Sequence, residues 1–414
     1  MADFERLQAD WLSFDGAQTC ILRAARPGPI ETVELAHAQG RHLAEPIIAR
    51  ATLPPHDNSA MDGFAVRSCE LRGKAGPERL PVFGVSLPGS RPVRSVPPKH
   101  SVRIMTGGPL PETFDSVIRV EHTDGEEEPG WVILRTLDDL GKHVRPGGQD
   151  LQRGTPTIPA GTEVRPGTVA VALACGIDQV PVHKRPRVGV LSSGDELVDA
   201  RDFQRVIDGV GIPDTNRAML LAAVAEAGGI PVDLGVVRDD PEALKESLGA
   251  LPELDALVTT GGASMGERDL FKRILKDTNF DLAFWRAKIR PGSPVSFGHL
   301  PSPIEPLAVF GLPGNPASAF VTFHVFVVPY LRVFLGCPSP SLPVVTARCS
   351  ESLTSPAGLT HFVRVALWWD RRILEPSRAR QRGPRGAGWW LPFCTPTALP
   401  SCRRGPRSLT SGSH

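Results

Sequence analysis

Between Arg187 and Ser318, apolar runs alternate with small-residue loops and helical stretches, and this alternation narrows the possible folds more than any other feature of the chain. RVGVLSSGDEL (187–197) reads as a buried strand that ends in a loop of small residues. DTNRAMLL (214–221) opens a helix behind a capping aspartate and closes at Gly228-Gly229. A second strand over 231–237 leads to Asp239-Asp240 and a helix over 241–251, and a third strand is centred on 256–258. Such uninterrupted apolar runs suit strands covered on both faces. The repeat therefore predicts a parallel α/β sheet with helices on either side, whose ligands sit beyond the carboxyl ends of the strands. Residues 192–196, Asp239, residues 261–269 and LPGNPAS (312–318) all fall on that edge.

The stretch DALVTTGGASMGERDLFK (255–272) is the sharpest part of the pattern. Its strand runs into Gly261-Gly262, Ser264 and Gly266 before a helix opens at 267–269. A strand, a bare loop and a helix N-terminus form an anion site, because unpaired N–H groups point outward there. Asp269 admits two readings. A carboxylate beside a bound phosphate implies a divalent cation between them, whereas alone it favours the positive end of the helix dipole.

At 414 residues the chain is long enough for about two to four domains. A hydrophobic share of 41% with 22% charged residues fits a soluble globular protein, and no apolar run approaches the length needed to span a bilayer. The N-terminus has mixed charge and lacks the apolar stretch of a signal peptide. Seven scattered cysteines offer no C-x-x-C pair, which points to a reducing cytoplasm. The formal net charge of +1 conceals +7 over 368–414 and −6 over the remainder, so the body gives no reason to expect nucleic acid.

Ahead of the α/β region, apolar positions recur at helical spacing over 3–25, and ETVEL (31–35) enters a second short element. From 80 to 137, β-rich runs at 81–85, 101–105, 116–120 and 131–134 recur between Pro and Gly breaks, predicting a small β barrel or sandwich. Thr106 stands just before two glycines at a strand end there, and Asp62-Gly63 reads by residue type as a turn pair. VRPGGQD (144–150) is a second glycine-rich turn, 167–175 a small-residue helix, and 181–186 a linker.

Nine motifs occur in one order: DNSAMDGFAVR (57–67), RIMTGGPLP (103–111), VRPGGQD (144–150), LSSGDELV (191–198), DTNRAML (214–220), VRDDP (237–241), TTGGASMGERDLFK (259–272), IRPGSPVSFG (289–298) and GLPGNPAS (311–318). Together they resemble the molybdopterin molybdenumtransferase family, the MoeA and gephyrin E-domain type, over roughly residues 1–336. The resemblance implies insertion of molybdate into adenylylated molybdopterin with release of AMP, Mg²⁺ as cofactor, and a homodimer with shared active sites. It places the catalytic set on Asp62, Thr106, Glu196, Asp239 and Asp269, with Glu196, Asp239 and Asp269 holding the metal. Substrate contacts fall on Ser192, Gly194, Asn216, Gly261, Gly262, Ser264, Arg290, Pro313, Gly314, Asn315, Pro316 and Ser318. The fold implied is α/β and multi-domain. It has an N-terminal domain of two segments (1–45 and 145–182), a β-rich domain (46–144), a molybdopterin-binding α/β domain (183–336) and the start of a C-terminal β domain (337–367).

The chain departs from the family in two places. Arg290 and Ser293 stand where bacterial members carry two lysines; Arg290 keeps the charge and can grip an oxyanion with its fork, while Ser293 surrenders one charge. From Trp368 onward, nine Arg, six Pro and four of the seven Trp follow without β alternation. That composition resembles a coding sequence read in a shifted frame and predicts a disordered tail over 368–414. Three alternatives accompany the transferase reading: a related adenylyltransferase, a gephyrin-like scaffold, and the inactive product of a frameshifted gene. The first lacks the 46–144 domain, and the second needs a long linker or a second α/β domain.

Overall fold

The computed structural model describes residues 11–74, 76–261, 279–302, 305–347, 349–355, 357–369, 376–381 and 401–402. Helix α1 (Phe14–Ala24) starts at Ser13, whose hydroxyl accepts from Gly16 N at 3.0 Å, and buries Phe14, Ala17 and Ile21. Strand β1 (Ile30–Glu34) pairs antiparallel with a strand from the far side of the β-rich region, described below. Between them the chain forms a five-stranded sheet from β2 (Gly63–Val66), β3 (Glu78–Ser86), β4 (Ser101–Ile104), β5 (Ser116–Arg119) and β6 (Trp131–Leu134), in the order β5-β2-β4-β3-β6. Phe64, Val66, Leu80, Ile118, Val132 and Leu134 fill one side of this sheet, and Ala65, Val102, Ile104 and Val117 the other. Gly63 is required where β2 meets β5, because a Cβ there would lie 2.0 Å from the carbonyl oxygen of Ile118.

Helix α2 (Pro166–Ala174) carries Pro at its first position, and β7 (Gln179–His183) follows. The linker expected over 181–186 is in part this strand, with Pro181 opposite Thr32. On the side away from β1 the strand meets, among the described residues, only the isolated bridge of Leu43 with Val182, where Ala44 N donates to the Pro181 carbonyl at 2.9 Å, so a residue without an N–H breaks no continuous ladder. A separate apolar core gathers Leu35, Leu43, Ile47, Ile158, Val164, Cys175, Val180 and Val182 from both sides of the β-rich segment.

The α/β region contains β8 (Arg187–Ser193), α3 (Thr215–Glu226), β9 (Ile230–Val237), α4 (Pro241–Gly249), β10 (Ala256–Thr260), β11 (Asp281–Trp285), β12 (Ile289–Arg290), β13 (Ser296–Leu300) and β14 (Leu307–Leu312). Six of these strands form one sheet in the order β9-β8-β10-β14-β13-β11. The first four are mutually parallel; β13 runs antiparallel to both β14 and β11, so the sheet is mixed. Successive residues of β10 face opposite layers: Ala256 and Val258 pack with α1, α3 and the 316–334 helix, while Leu257 packs with Leu244 of α4. Helices cover both faces.

Helix α5 (Pro316–Thr322) continues through a wider π segment, Phe323–Val327, into α6 (Val328–Phe334). These 19 residues, with a mean hydropathy of 1.5, are long and apolar enough to cross a membrane, an exception to the expectation of no such run. They are 61% buried within the fold, where Val321, Phe323, Phe326, Val327 and Leu331 pack on the sheet. Beyond them, β15 (Thr360–Phe362) pairs parallel with β12, and β16 (Val365–Trp369) antiparallel with β17 (Pro376–Gln381). The short strand β18 (Ser401–Cys402) adds to β15. Within 368–414 the described residues are strand residues despite the absence of β alternation, because a ladder is built from backbone N–H and C=O groups that every residue but proline carries. The rest of the tail, over which disorder was expected, lies outside the described residues.

Candidate functional site

Because β8, β9, β10 and β14 are parallel, their carboxyl ends share one edge. The register pairs Ser193 with Val237, Ser192 with Thr260, and Thr260 with Leu312. The carboxyl ends of these four strands thus meet, and side chains join them. Asn216, on the first turn of α3, donates from Nδ2 to Thr260 Oγ1 at 2.9 Å and to the Gly314 carbonyl at 2.7 Å. Thr260 Oγ1 in turn lies 3.2 Å from the Pro313 carbonyl oxygen that accepts from it. The bond to Gly314 fixes the amide orientation, since a carbonyl only accepts, and leaves Asn216 Oδ1 buried without a partner among the described residues. Gly261 adopts φ +94°, and its α-carbon approaches so closely that a Cβ would lie 2.0 Å from the Ser193 carbonyl oxygen. Asn315 caps the 316–334 helix, its Oδ1 accepting from Ala317 N at 3.1 Å and Ser318 N at 3.3 Å, with Pro316 at the first helical position.

The acidic groups at this edge divide into two kinds. Arg217 engages Asp214 at 2.7 Å, Asp233 at 2.5 Å and Asp199 at 3.6 Å. The Asp214 carboxylate also accepts from Ser192 Oγ at 3.1 Å. Glu196 and Asp239 have no ion-pair partner among the described residues. Asp239 instead accepts a short hydrogen bond from the Ser193 hydroxyl, and the carboxylate of Glu196 lies 2.7 Å from where a Cβ on Gly194 would stand. Among the described residues no three His, Cys, Asp or Glu side chains gather as a metal site. Gly262, Ser264 and Asp269, the third expected metal ligand, lie outside the described residues. Glu196 and Asp239 supply the hard carboxylate oxygens that Mg²⁺ takes, with no ion pair to a cation among the described residues, so the donors present fit that ion.

Asp62 and Thr106 sit elsewhere, on the five-stranded sheet. Asp62 Oδ1 accepts from Thr106 N at 2.7 Å and from Thr106 Oγ1 at 2.8 Å. The backbone amide, with the hydroxyl beside it, holds this exposed carboxyl below its ordinary range. Ser59 and the glycine pair lock the surrounding loops, through Gly107 N to Ser59 O at 2.8 Å and Ser59 N to Gly108 O at 3.0 Å. Asp57 adds bonds from Leu110 N and Gly147 N, both 2.7 Å. The motifs at 57–67, 103–111 and 144–150 therefore form one surface. Among the described residues no hydrogen bond joins Asp62 or Thr106 to the sheet-edge group.

Arg290 lies at the start of a third feature, paired in register with His361 of β15. Burial, with the neighbouring guanidinium, lowers the His361 pKa. Ser293 bonds back to the Ile289 carbonyl, which closes the loop without adding charge. Sequence reasoning missed His361, Ser193, Thr260 and Arg217. Ser193 and Thr260 lay inside quoted motifs, but nothing local distinguishes them from neighbours until the strands are in register.

With this geometry in view, two family descriptions match the chain: the MoeA N-terminal region (domain I and II) over 12–176 and the probable molybdopterin binding domain over 189–333. A molybdopterin molybdenumtransferase from Bacillus subtilis is 32% identical over 358 residues, covering 84% of this chain and 81% of that one. Molybdopterin molybdenumtransferase 2 of Mycobacterium tuberculosis is 34% identical over 355 residues, covering 84% and 85%. The chain belongs to the molybdopterin molybdenumtransferase family. The MoeA protein of Pyrococcus horikoshii superposes with a TM-score of 0.78 at 26% identity, covering 96% of this chain and 98% of that structure. As a member of this MoeA family the protein is an enzyme, a transferase of molybdenum cofactor biosynthesis.

Proposed function

We propose that the protein inserts molybdate into adenylylated molybdopterin with release of AMP, in the cytoplasm, as a homodimer. The observation that carries this reading is the convergence of four parallel strand ends on Asn216, Gly261, Gly314, Glu196 and Asp239. Such an edge offers bare backbone to an anionic ligand and unpaired carboxylates to a cation. Asn216 Oδ1, without a partner among the described residues, offers an acceptor to a ligand N–H or O–H. Glu196 and Asp239, with Asp269, hold Mg²⁺, which when bound neutralises the charge of the phosphoanhydride and polarises it. Ser192, Gly194, Gly262, Ser264, Pro313, Asn315, Pro316 and Ser318 shape the rest of the seat, and Arg290 balances the charge of the molybdate oxygens.

Asp62 and Thr106 supply an ionised carboxylate and a hydroxyl that position water or molybdate. Their separation from the sheet edge within one chain supports a cleft shared between subunits, each site using the five-stranded sheet of the partner.

The test is cofactor formation in vitro from adenylylated molybdopterin, molybdate and Mg²⁺, with AMP released in equal amount. Asp239→Asn and Asp269→Asn are expected to fold as the parent and lose turnover. A mixture of Asp62→Ala and Asp269→Ala proteins is expected to recover part of it through heterodimers that hold one intact cleft. Parental turnover by both Asn variants would remove the carboxylates from the site, and heterodimers without recovery would place each site within one subunit.

A further inference from the structure

The buried carboxylate of Asp139 belongs to none of the motifs above, yet it is 2% exposed and surrounded by bases. Arg119 reaches Oδ2 from Nε at 3.1 Å and from its backbone N at 3.2 Å, and reaches Oδ1 from Nη2 at 3.3 Å. His143 Nε2 donates to Oδ1 at 3.2 Å. His122 Nδ1 lies 2.9 Å from Oδ2, out of hydrogen-bond alignment, while its Nε2 faces Arg119 Nη2 at 3.2 Å. Burial pushes this carboxyl up, but the side-chain and backbone bonds from Arg119, the bond from His143 and the charge of His122 outweigh it and hold the pKa well below the usual carboxylate range.

The partners of this carboxylate lead to Asp62 from both sides. Strand β5 is the sheet's edge and lies against β2, with Arg119 opposite Gly63, and the next residue, Val120, donates its N–H to the Asp62 carbonyl at 3.0 Å. The far side of β5 has no strand. There the Asp139 carboxylate accepts the Arg119 N–H and the Lys142 carbonyl accepts the Val117 N–H, as a neighbouring strand would. His143, gripped by the other carboxylate oxygen, accepts from Ala60 N at 2.8 Å through its own carbonyl. The segment 60–62 is thus held at its start by His143 and at its end by Val120, and one buried anion fixes both holders.

We propose that Asp139 is a positioning residue for the reaction: it sets the placement of the Asp62–Thr106 pair without touching substrate. The proposal rests on the transferase reading, in which Asp62 acts on water or molybdate. A misplacement of about 1 Å at such a group costs on the order of 10²-fold in rate.

The test is Asp139→Asn, which keeps the shape and removes the charge that orders three bases. It is expected to lower kcat about 10- to 100-fold while KM for adenylylated molybdopterin, bound by the α/β region, stays within about twofold. Combined with Asp62→Ala, it is expected to add nothing to the loss from Asp62→Ala alone, since both act through one group. His143→Gln, which leaves the Arg119 pair in place, serves as a milder second variant with the same signature. In parallel, amide hydrogen exchange of the full-length protein is expected to speed at Ala60 and Val120 and to stay unchanged in β8, β10 and β14. Multiplicative losses in the double variant, or parental exchange at Ala60 and Val120, would overturn the proposal. Exchange needs no turnover, so a parent protein that forms no cofactor would refute the transferase reading while the exchange result still decides whether Asp139 fixes the 60–62 segment.

Discussion

Replacing Gly261 with alanine tests the sheet-edge site where its packing is tightest. The added Cβ would lie 2.0 Å from the Ser193 carbonyl oxygen, a backbone atom, so β8 and β10 must part at their ends by about 1 Å to reach an ordinary contact. Overpacking of this kind costs about 1–3 kcal/mol. The residue also sits at φ +94°, a left-handed conformation that adds about 1–2 kcal/mol for any side chain. A total of about 2–5 kcal/mol corresponds to a fall in melting temperature of about 4–20 °C for a unit of this size. Ser193 carries the hydroxyl that bonds Asp239, so the same displacement moves a proposed metal ligand, and turnover is expected to fall with stability. Calorimetry and the cofactor-formation assay measure the two effects separately. Gly314→Ala provides the control, because a Cβ there meets only the Gly261 α-carbon at 3.7 Å, an ordinary contact. That variant is expected to melt as the parent does and to lose activity only by filling ligand space. A Gly261→Ala protein that melts within about 2 °C of the parent with full turnover would refute the close approach of the two loops.

Thr106→Val removes the hydroxyl donor to Asp62 but keeps the stronger backbone bond. Asp62 has a depressed pKa, so its contribution is present above the ordinary value and is lost as pH falls through the folded one. The variant's acid limb of activity is therefore expected to move to higher pH, part of the way towards an unperturbed carboxylate, and an unmoved limb would show that Asp62 does not govern it. Asn315→Ala leaves the Ala317 and Ser318 amides without their cap and is expected to cost about 1 kcal/mol, read as a lower melting temperature.

The candidate site was legible in the sequence to the extent that its loops need particular residue types at local spacing. Glycine pairs, a capping Asn-Pro and a strand that ends in Ser-Ser-Gly announce bare loops at strand ends, because only small or φ-permissive residues tolerate those backbones. The apolar runs of β8, β10 and β14 announce strands covered on both faces. Pro181 misled for a local reason: its missing N–H suggests a break, and only the pairing with Thr32 shows that a strand runs through it.

What the sequence determined by itself, then, was the alternation of strands and helices in the α/β region, the small-residue loops at its strand ends and the family whose motifs they carry. The tertiary structure decided everything that depends on register and enclosure. Only the pairing of Ser192 with Thr260 and of Thr260 with Leu312 brings Asn216 within reach of both Thr260 and Gly314, across 44 and 98 residues of chain. Only enclosure distinguishes Asp139 from the many solvated carboxylates of the chain, because its importance comes from Arg119, His122 and His143 closing around it. Local propensity encodes backbone conformation within a few residues. The electrostatics of a buried group are set by neighbours that folding brings from elsewhere in the chain.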